Sequence, residues 1–159
     1  MTKINFRIPI KYRAILFMAL GCSWLTGLTF FYLSRWVTIE SAFGVTQHPA
    51  QTFVLMTHGA SAFVMLMCFG VLLVNHLPAA WHLNRSRYLG LTLTTLISFQ
   101  IITAYTLYYI ADEESRLFIS NLHIASGASI PFFLIGHIII GRIRRKSIPT
   151  DLKKESKEL

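Results

Sequence analysis

Four long apolar segments occupy most of this 159-residue chain and leave it few possible folds. They run from about Ala14 to Leu33, Phe53 to Val74, Tyr88 to Ile110 and Phe118 to Ile140. A helix needs about 20 apolar residues to cross the hydrocarbon core of a bilayer. Because only 14% of the residues are charged, little chain remains beyond short loops and two polar tails. The sequence therefore predicts one all-α domain over residues 1–159, an integral membrane four-helix bundle.

The basic residues fall almost entirely on one side of the predicted spans. Thirteen of the fifteen Lys and Arg residues precede the first span, lie in the loop Leu77 to Arg87, or follow the fourth span. Only Arg35 and Arg116 lie on the other side, which also carries acidic residues. The positive-inside rule then predicts that both termini are cytoplasmic. The net charge of +8 follows from this topology, so we expect membrane lipid and not nucleic acid as a partner.

The two halves of the chain show a weak internal repeat. The first span contains Leu-Thr-Gly-Leu-Thr-Phe-Phe-Tyr, ending at Tyr32, and the third contains Ile-Thr-Ala-Tyr-Thr-Leu-Tyr-Tyr, ending at Tyr109. The second span opens with His-Gly-Ala-Ser from His58, and the fourth with His-Ile-Ala-Ser from His123. This pattern predicts two copies of one helical hairpin in the same orientation, with chance similarity between apolar segments as the alternative.

The second and fourth spans each carry two histidines. An ionisable residue inside a membrane span is costly and usually functional. His123 and His137 are fourteen residues apart, which is about 21 Å along a helix and within about 40° on one face. His58 and His76 are eighteen apart, about 27 Å and again on one face. Because these spans run in the same direction, His58 can face His123 near the outer surface and His76 can face His137 near the inner one.

Two neutral imidazoles from neighbouring helices form a ligand set for the iron of b-type haem, so four histidines predict two haems. Small residues beside them would leave space for the macrocycle, although they also favour close helix packing. These residues are Gly59, Ser61, Ala62, Ser126, Gly127, Gly136 and Gly141. Arg35, Arg116 and Arg142 are predicted partners of the haem propionates, with interfacial anchoring as the alternative. His48 and His82 are interpreted as ordinary polar loop residues.

With these features the whole chain resembles the bacterial di-haem cytochrome b membrane proteins, which include the cytochrome b anchors of formate dehydrogenases and hydrogenases. The resemblance rests on four spans, the Thr-Gly-Leu…Tyr stretch in the first, the fourteen-residue spacing of His123 and His137, and the basic tail. The second span departs from the family pattern, because its spacing is eighteen and the residue fourteen after His58 is Leu72, which cannot bind iron. The first span has no histidine, although some of these anchors use one there.

The resemblance implies electron transfer across a bacterial cytoplasmic membrane through two b-type haems. The electrons would pass between quinone or quinol and a redox partner, such as a c-type cytochrome or a dehydrogenase subunit. The chain has no flavin, nicotinamide or iron–sulfur motif, so a subunit of an oxidoreductase complex is favoured over a stand-alone enzyme. The alternative is a cofactor-free membrane protein, either a small transporter or proton pathway or an assembly anchor. Gln100, Tyr105, Tyr108 and Tyr109 are polar enough for a quinone site, but no motif assigns one.

Overall fold

A computed structural model describes residues 9–82 and 87–146 and shows a bundle of long helices. Of the described residues 87% are helical, and four of the helices they form are long and apolar enough to cross a membrane. The elements are α1 (Ile10–Trp36), β1 (Thr38–Ser41), β2 (Gly44–Gln47), α2 (Ala50–Val71), a π-turn (Leu72–His76), α3 (Leu77–His82), α4 (Arg87–Tyr109) and α5 (Glu113–Lys146). The predicted all-α four-helix membrane bundle is confirmed.

The bundle is built from two helical hairpins that contact one another. Helix α1 packs along α2, helix α4 packs along α5, and α1 also contacts α5. One end of the bundle carries the β1–β2 hairpin and the short connection between α4 and α5, and it is called the hairpin end below. The opposite end, where α1 begins and α5 ends, is called the terminal end. Helices α2 and α5 do not pack closely backbone to backbone, and the four intramembrane histidines lie between them.

Most apolar side chains point outward from the bundle. The buried apolar residues among those described are few and mostly small or central: Ala19, Cys68, Phe69, Leu93 and Ile130. Large exposed side chains occur along all four long helices, for example Phe17, Phe63, Tyr105 and Phe132. A soluble protein of this size would bury such groups, whereas in a bilayer they contact lipid tails. The outward-facing surface therefore suits a multi-pass membrane protein in contact with lipid.

The connection between the first two spans forms a β-hairpin that the sequence pattern did not predict. Strands β1 and β2 pair antiparallel, with Ser41 opposite Gly44 at the turn. Gly44 has a φ of 106°, a conformation that favours glycine. Phe43 at the tip is 99% exposed. The polypeptide then turns at Pro49 into α2.

The second span is longer than its apolar segment indicates. Helical structure continues from Ala50 to Trp81 over 32 residues, so the predicted inner loop from Leu77 is helical as far as His82. His82 therefore ends α3 and does not lie in a loop. Pro78 explains the π-turn just before it, because a proline ring clashes with the carbonyl four residues earlier. The backbone widens there, and the Leu77 N–H bonds to the Leu72 carbonyl.

Candidate functional site

The first candidate site lies near the hairpin end and contains one histidine from each hairpin. His58 on α2 and His123 on α5 face each other with ring centres 6.4 Å apart and ring planes at 84°. Both side chains are half-buried. The pairing that helix geometry predicts from the sequence is therefore present in the fold.

The second candidate site lies near the terminal end and repeats this arrangement. The rings of His76 and His137 have centres 6.5 Å apart and planes at 79°. The pair forms although His76 lies eighteen residues after His58 and His137 only fourteen after His123. A π-turn is one residue wider than an α-turn, so the π-turn Leu72–His76 takes up one of the four extra residues. His76, not Leu72, is the residue that faces His137.

The ring of His58 is held by two groups on α1. Its Nδ1 lies 2.9 Å from the Ser23 carbonyl oxygen and 3.4 Å from Thr26 Oγ1. A carbonyl oxygen can only accept a hydrogen bond, so Nδ1 carries the proton. The other ring nitrogen, Nε2, is then unprotonated and free to bind a metal.

The ring of His123 is held in the same way by α4. Its Nδ1 lies 2.9 Å from Thr103 Oγ1. The Thr103 hydroxyl already has acceptors for its own proton, the carbonyls of Phe99 at 2.9 Å and Gln100 at 3.1 Å. Thr103 therefore accepts from His123 Nδ1–H, and Nε2 of His123 is also left free.

Thr26 and Thr103 occupy equivalent places in the internal repeat. Thr26 begins Thr-Gly-Leu-Thr in α1, and Thr103 begins Thr-Ala-Tyr-Thr in α4. Each contacts the hairpin-end histidine of its own helical hairpin. This geometry favours duplication over chance similarity. Sequence reasoning noticed the repeat but did not assign these threonines to the site.

The spacing of the rings fits a metal held between two imidazoles. A metal–imidazole bond is about 2 Å long, and the nitrogen lies about 1 Å from the ring centre, so the two ring centres stand about 6 Å apart. Both observed separations are close to this value. Among the described residues no hydrogen bond joins the two rings of either pair, so direct ring-to-ring bonding does not account for the spacing.

The donor set favours an iron porphyrin over a bare metal ion. Structural zinc sites use four protein ligands, and the described part of the chain contains no cluster of three or more His, Cys, Asp or Glu side chains. Two imidazoles complete the coordination of iron only when a macrocycle supplies the other four nitrogens. The gap between the backbones of α2 and α5 lies where such a ring would have to fit. The residues present therefore fit two b-type haems.

Gly27 leaves space for the His58 ring, and Gly90 lies at ordinary contact distance from the His137 ring. A Cβ added at Gly27 would lie 3.0 Å from His58 Cε1, and one added at Gly90 would lie 3.5 Å from His137 Cε1. Sequence reasoning missed both, because they lie in the first and third spans, which have no histidine. A Cβ added at Gly59, Gly136 or Gly141 meets nothing within 4 Å, and one added at Gly127 meets the Gln100 side chain. A histidine ring is not among the nearest groups at these four glycines, and their expected role of leaving space for the macrocycle stays a prediction.

Between the two pairs the bundle is filled by apolar side chains. Phe69 on α2 and Ile130 on α5 are both buried, and Met65, Leu72 and Leu134 on the same predicted faces are half-buried. Cys68, one turn from Met65, is also buried, and its carbonyl accepts a hydrogen bond from the Tyr12 hydroxyl on α1. The space between the two histidine levels is therefore lined by apolar side chains.

The predicted propionate partners lie at helix ends and are exposed. Arg35 donates a hydrogen bond to Asn121 Oδ1 at 3.0 Å, which links α1 to α5 at the hairpin end. Arg116 lies in the first turn of α5 and Arg142 near its other end. None of these arginines has a direct contact with a histidine ring in the described structure. Their role toward propionates stays a prediction.

Other polar residues have local structural roles. His48 Nδ1 accepts a hydrogen bond from the Ala50 N–H at the start of α2, which agrees with its interpretation as a loop residue. Gln100 accepts a hydrogen bond from Ser126 Oγ at 2.6 Å, so it contributes to packing between α4 and α5. Tyr105, Tyr108 and Tyr109 are exposed near the hairpin end, as in an interfacial aromatic belt. Arg85 lies outside the described residues.

Comparison of the chain with protein-family models, with characterised proteins and with solved structures finds no match. The functional conclusion therefore depends on the four helices and on the two histidine pairs themselves.

Proposed function

We propose that this protein binds two b-type haems and transfers electrons across the membrane. The observation that supports this proposal is the pair of opposed histidine rings at each of two levels between α2 and α5, with ring centres 6.4 and 6.5 Å apart. One such pair could be a coincidence of packing. Two pairs with nearly the same separation and ring angle, built from helices with different histidine spacing, favour a shared ligand.

In this proposal each side chain of the site has a distinct role. His58 and His123 would bind one iron and His76 and His137 the other, each through one ring nitrogen. Bound haem b supplies one-electron chemistry, and two histidine ligands leave no open position for oxygen. Arg35, Arg116 and Arg142 would neutralise the propionates at the two membrane surfaces.

The separation of the two levels suits transfer through the bilayer. Fourteen residues between His123 and His137 place the levels about 21 Å apart along α5, and the hydrocarbon core is about 30 Å thick. Electrons would enter and leave at opposite surfaces. The exchange partners we propose are quinone or quinol and a redox protein such as a c-type cytochrome or a dehydrogenase subunit. The setting we propose is a bacterial cytoplasmic membrane.

The test is the absorption spectrum of the purified full-length protein. We expect a red protein whose dithionite-reduced form shows a sharp α-band, with two haems per chain in a pyridine haemochrome assay. A colourless, iron-free protein would contradict the proposal and favour the cofactor-free alternative, a transporter, proton pathway or assembly anchor.

Single substitutions then test which histidines bind. His123→Ala and His76→Ala should each lose one haem of the two, because each removes a ligand from a different level. His48→Asn is the matched control, since His48 lies in the loop before α2 and caps that helix locally. It should retain both haems. An unchanged haem content in His123→Ala would reject the hairpin-end site.

A further inference from the structure

We propose that Thr103 is a positioning residue that holds His123 and lowers the reduction potential of the hairpin-end centre. With that order of potentials, transfer from the hairpin-end centre to the terminal-end centre would be the downhill direction. This inference rests on the proposed function, because it concerns the direction of transfer between the two proposed haem centres.

The hairpin-end histidines both donate hydrogen bonds through Nδ1–H. His58 donates to the Ser23 carbonyl at 2.9 Å, and His123 donates to Thr103 Oγ1 at 2.9 Å. Thr103 is only 3% exposed, so water does not compete for this hydrogen bond. Its own proton is directed to the carbonyls of its helix, which fixes its oxygen as the acceptor.

His137, one of the two terminal-end histidines, has a different environment. His137 Nδ1 is buried and has no hydrogen-bond partner among the described residues. The nearest part of α4 is Gly90, which has no side chain to accept a proton. The Gly90 carbonyl already accepts a hydrogen bond from Thr94 Oγ1 at 2.9 Å. Helix α4 therefore offers a hydroxyl acceptor to His123 on α5, whereas beside His137 it has only a glycine.

This difference changes the electronic properties of the ligands. An imidazole that donates its Nδ1 proton to an acceptor becomes a more basic ligand and stabilises the oxidised metal. Hydrogen bonding to axial ligands is one of the means by which a protein sets a haem potential. The pair with two such hydrogen bonds is therefore expected to have the lower reduction potential.

The downhill direction of electron transfer follows from the expected order of the two reduction potentials. With haem held by His58 and His123 and by His76 and His137, one electron would leave the hairpin-end centre, oxidising it, and reduce the terminal-end centre. No bond is made or broken, and no proton moves in this step. The Phe69 and Ile130 side chains between the levels exclude water from the path.

The experiment is a redox titration of the purified, haem-loaded protein, followed at the α-band. We expect two one-electron waves in the unmodified protein, and His123→Ala should remove the lower one. Thr103→Val should shift the lower wave to higher potential and leave the upper wave unchanged. Thr103→Ser keeps the hydroxyl and should restore the original potential.

Thr106→Val is the matched control. Thr106 lies one turn from Thr103 on the same helix, and its hydroxyl bonds only to the Ile102 carbonyl of its own helix. Both waves should stay in place in this variant. Thr103→Val could instead lose the hairpin-end haem. In that case, retention of this haem in both Thr103→Ser and Thr106→Val would still support positioning of His123 by the Thr103 hydroxyl.

Other results would overturn the inference. These are an unchanged lower wave in Thr103→Val, a shift of the upper wave, or removal of the upper wave by His123→Ala. Failure of the proposed function is recognised separately, because an unmodified protein that contains no haem gives no wave to titrate.

Discussion

Gly27 on α1 faces the ring of His58 on α2 so closely that a Cβ there would lie 3.0 Å from His58 Cε1. Real Cβ atoms seldom approach another side chain at this distance, so the ring would have to move. The His58 ring has little freedom to do so, because its Nδ1 is bonded to the Ser23 carbonyl one turn before Gly27. The absence of a side chain at Gly27 therefore helps to position the His58 ring, as the hydrogen bond to Ser23 also does.

We therefore expect Gly27→Val to displace His58 and to reduce the haem absorbance to about half, since one of two haems loses a ligand. Gly21→Val is the control, because a Cβ at Gly21 on the same helix meets nothing within 4 Å. The measurement is haem per chain by pyridine haemochrome. Equal haem content in the two variants would show that Gly27 does not shape the hairpin-end site.

At the scale of elements, the π-turn Leu72–His76 helps to align the histidines of the second span with those of the fourth, although the two spans have different histidine spacings. A family-like spacing of fourteen would place the ligand at Leu72, yet the structure places His76 opposite His137. Pro78 breaks the regular helix just after this turn, and the backbone widens instead of kinking sharply. The irregular turn has a local cause in the sequence. Its consequence is that the ring centre of His76 lies 6.5 Å from that of His137.

This placement predicts the outcome of a ligand-swap experiment. His76→Leu should lose the terminal-end haem and keep the hairpin-end haem. Adding Leu72→His to that variant should not restore it, because position 72 lies one turn nearer the hairpin end than His137 requires. Haem counts and the redox waves distinguish the variants. Recovery of the second haem in the double variant would mean that α2 can adopt the shorter spacing.

Helix α5 begins with a cap that depends on pH. Asp112 Oδ2 accepts a hydrogen bond from the Ser115 N–H at 2.8 Å, and the Asp112 carbonyl accepts one from the Arg116 N–H at 2.9 Å. The hydrogen bonds from the Ser115 side chain and backbone lower the pKa of Asp112 below its ordinary value. A carboxyl with a lowered pKa stabilises the folded state above its unfolded pKa and loses this effect as the pH falls through its folded pKa.

We expect Asp112→Ala to lower the melting temperature at pH 7, because an N-cap acceptor is lost. The difference from the unmodified protein should begin to shrink as the pH falls below about 4, the ordinary pKa of an aspartate. It should vanish once the pH falls through the lower pKa of the folded carboxylate. Thermal unfolding in detergent, at pH 7 and at a pH below about 4, measures these melting temperatures. Asp112→Asn keeps a capping oxygen, so it should be less destabilised than Asp112→Ala at pH 7. Because neither replacement ionises, the difference between these two variants should stay constant as the pH falls. A constant difference for Asp112→Ala at both pH values would exclude ionisation of the cap as the cause.

At the scale of the whole molecule, the charge distribution predicts how the bundle is oriented in the membrane. The described basic residues near the terminal end include Lys11, Arg13, Arg87 and Arg142, while the hairpin end has Arg35 and Arg116 beside Asp112, Glu113 and Glu114. The positive-inside rule then predicts a cytoplasmic terminal end. With the proposed order of potentials, electrons would run from the outer surface to the cytoplasmic one.

Reporter fusions in a bacterial host test this orientation. Alkaline phosphatase needs disulfides that form only outside the cytoplasm, so it should be active when inserted between Phe43 and Gly44 and inactive at the C-terminus. Green fluorescent protein at the C-terminus should fluoresce. The reverse pattern would invert the topology and with it the direction of electron flow relative to the cell.

The amino-acid sequence by itself determined the four spans and the all-α membrane bundle, because long apolar segments have few alternatives in a chain of this size. It also indicated which histidines could face each other, since helical rise and rotation follow from residue spacing alone. The ends of the helices were harder to predict from the sequence. The continuation of the second span through Leu77–His82 and the β1–β2 hairpin depend on local backbone geometry that apolar periodicity does not report.

Only the tertiary structure decided which residues hold the histidines. Ser23, Thr26 and Gly27 lie more than thirty positions before His58, and Thr103 lies twenty before His123. Nothing in their spacing marks them, because a hydrogen bond between antiparallel helices depends on how far each helix is rotated toward its neighbour. The pairing of His76 with His137 was predicted from spacing, but the π-turn Leu72–His76 that accompanies it appears only in the structure. Spacing within a helix can be read from the chain, whereas rotation between helices follows from packing.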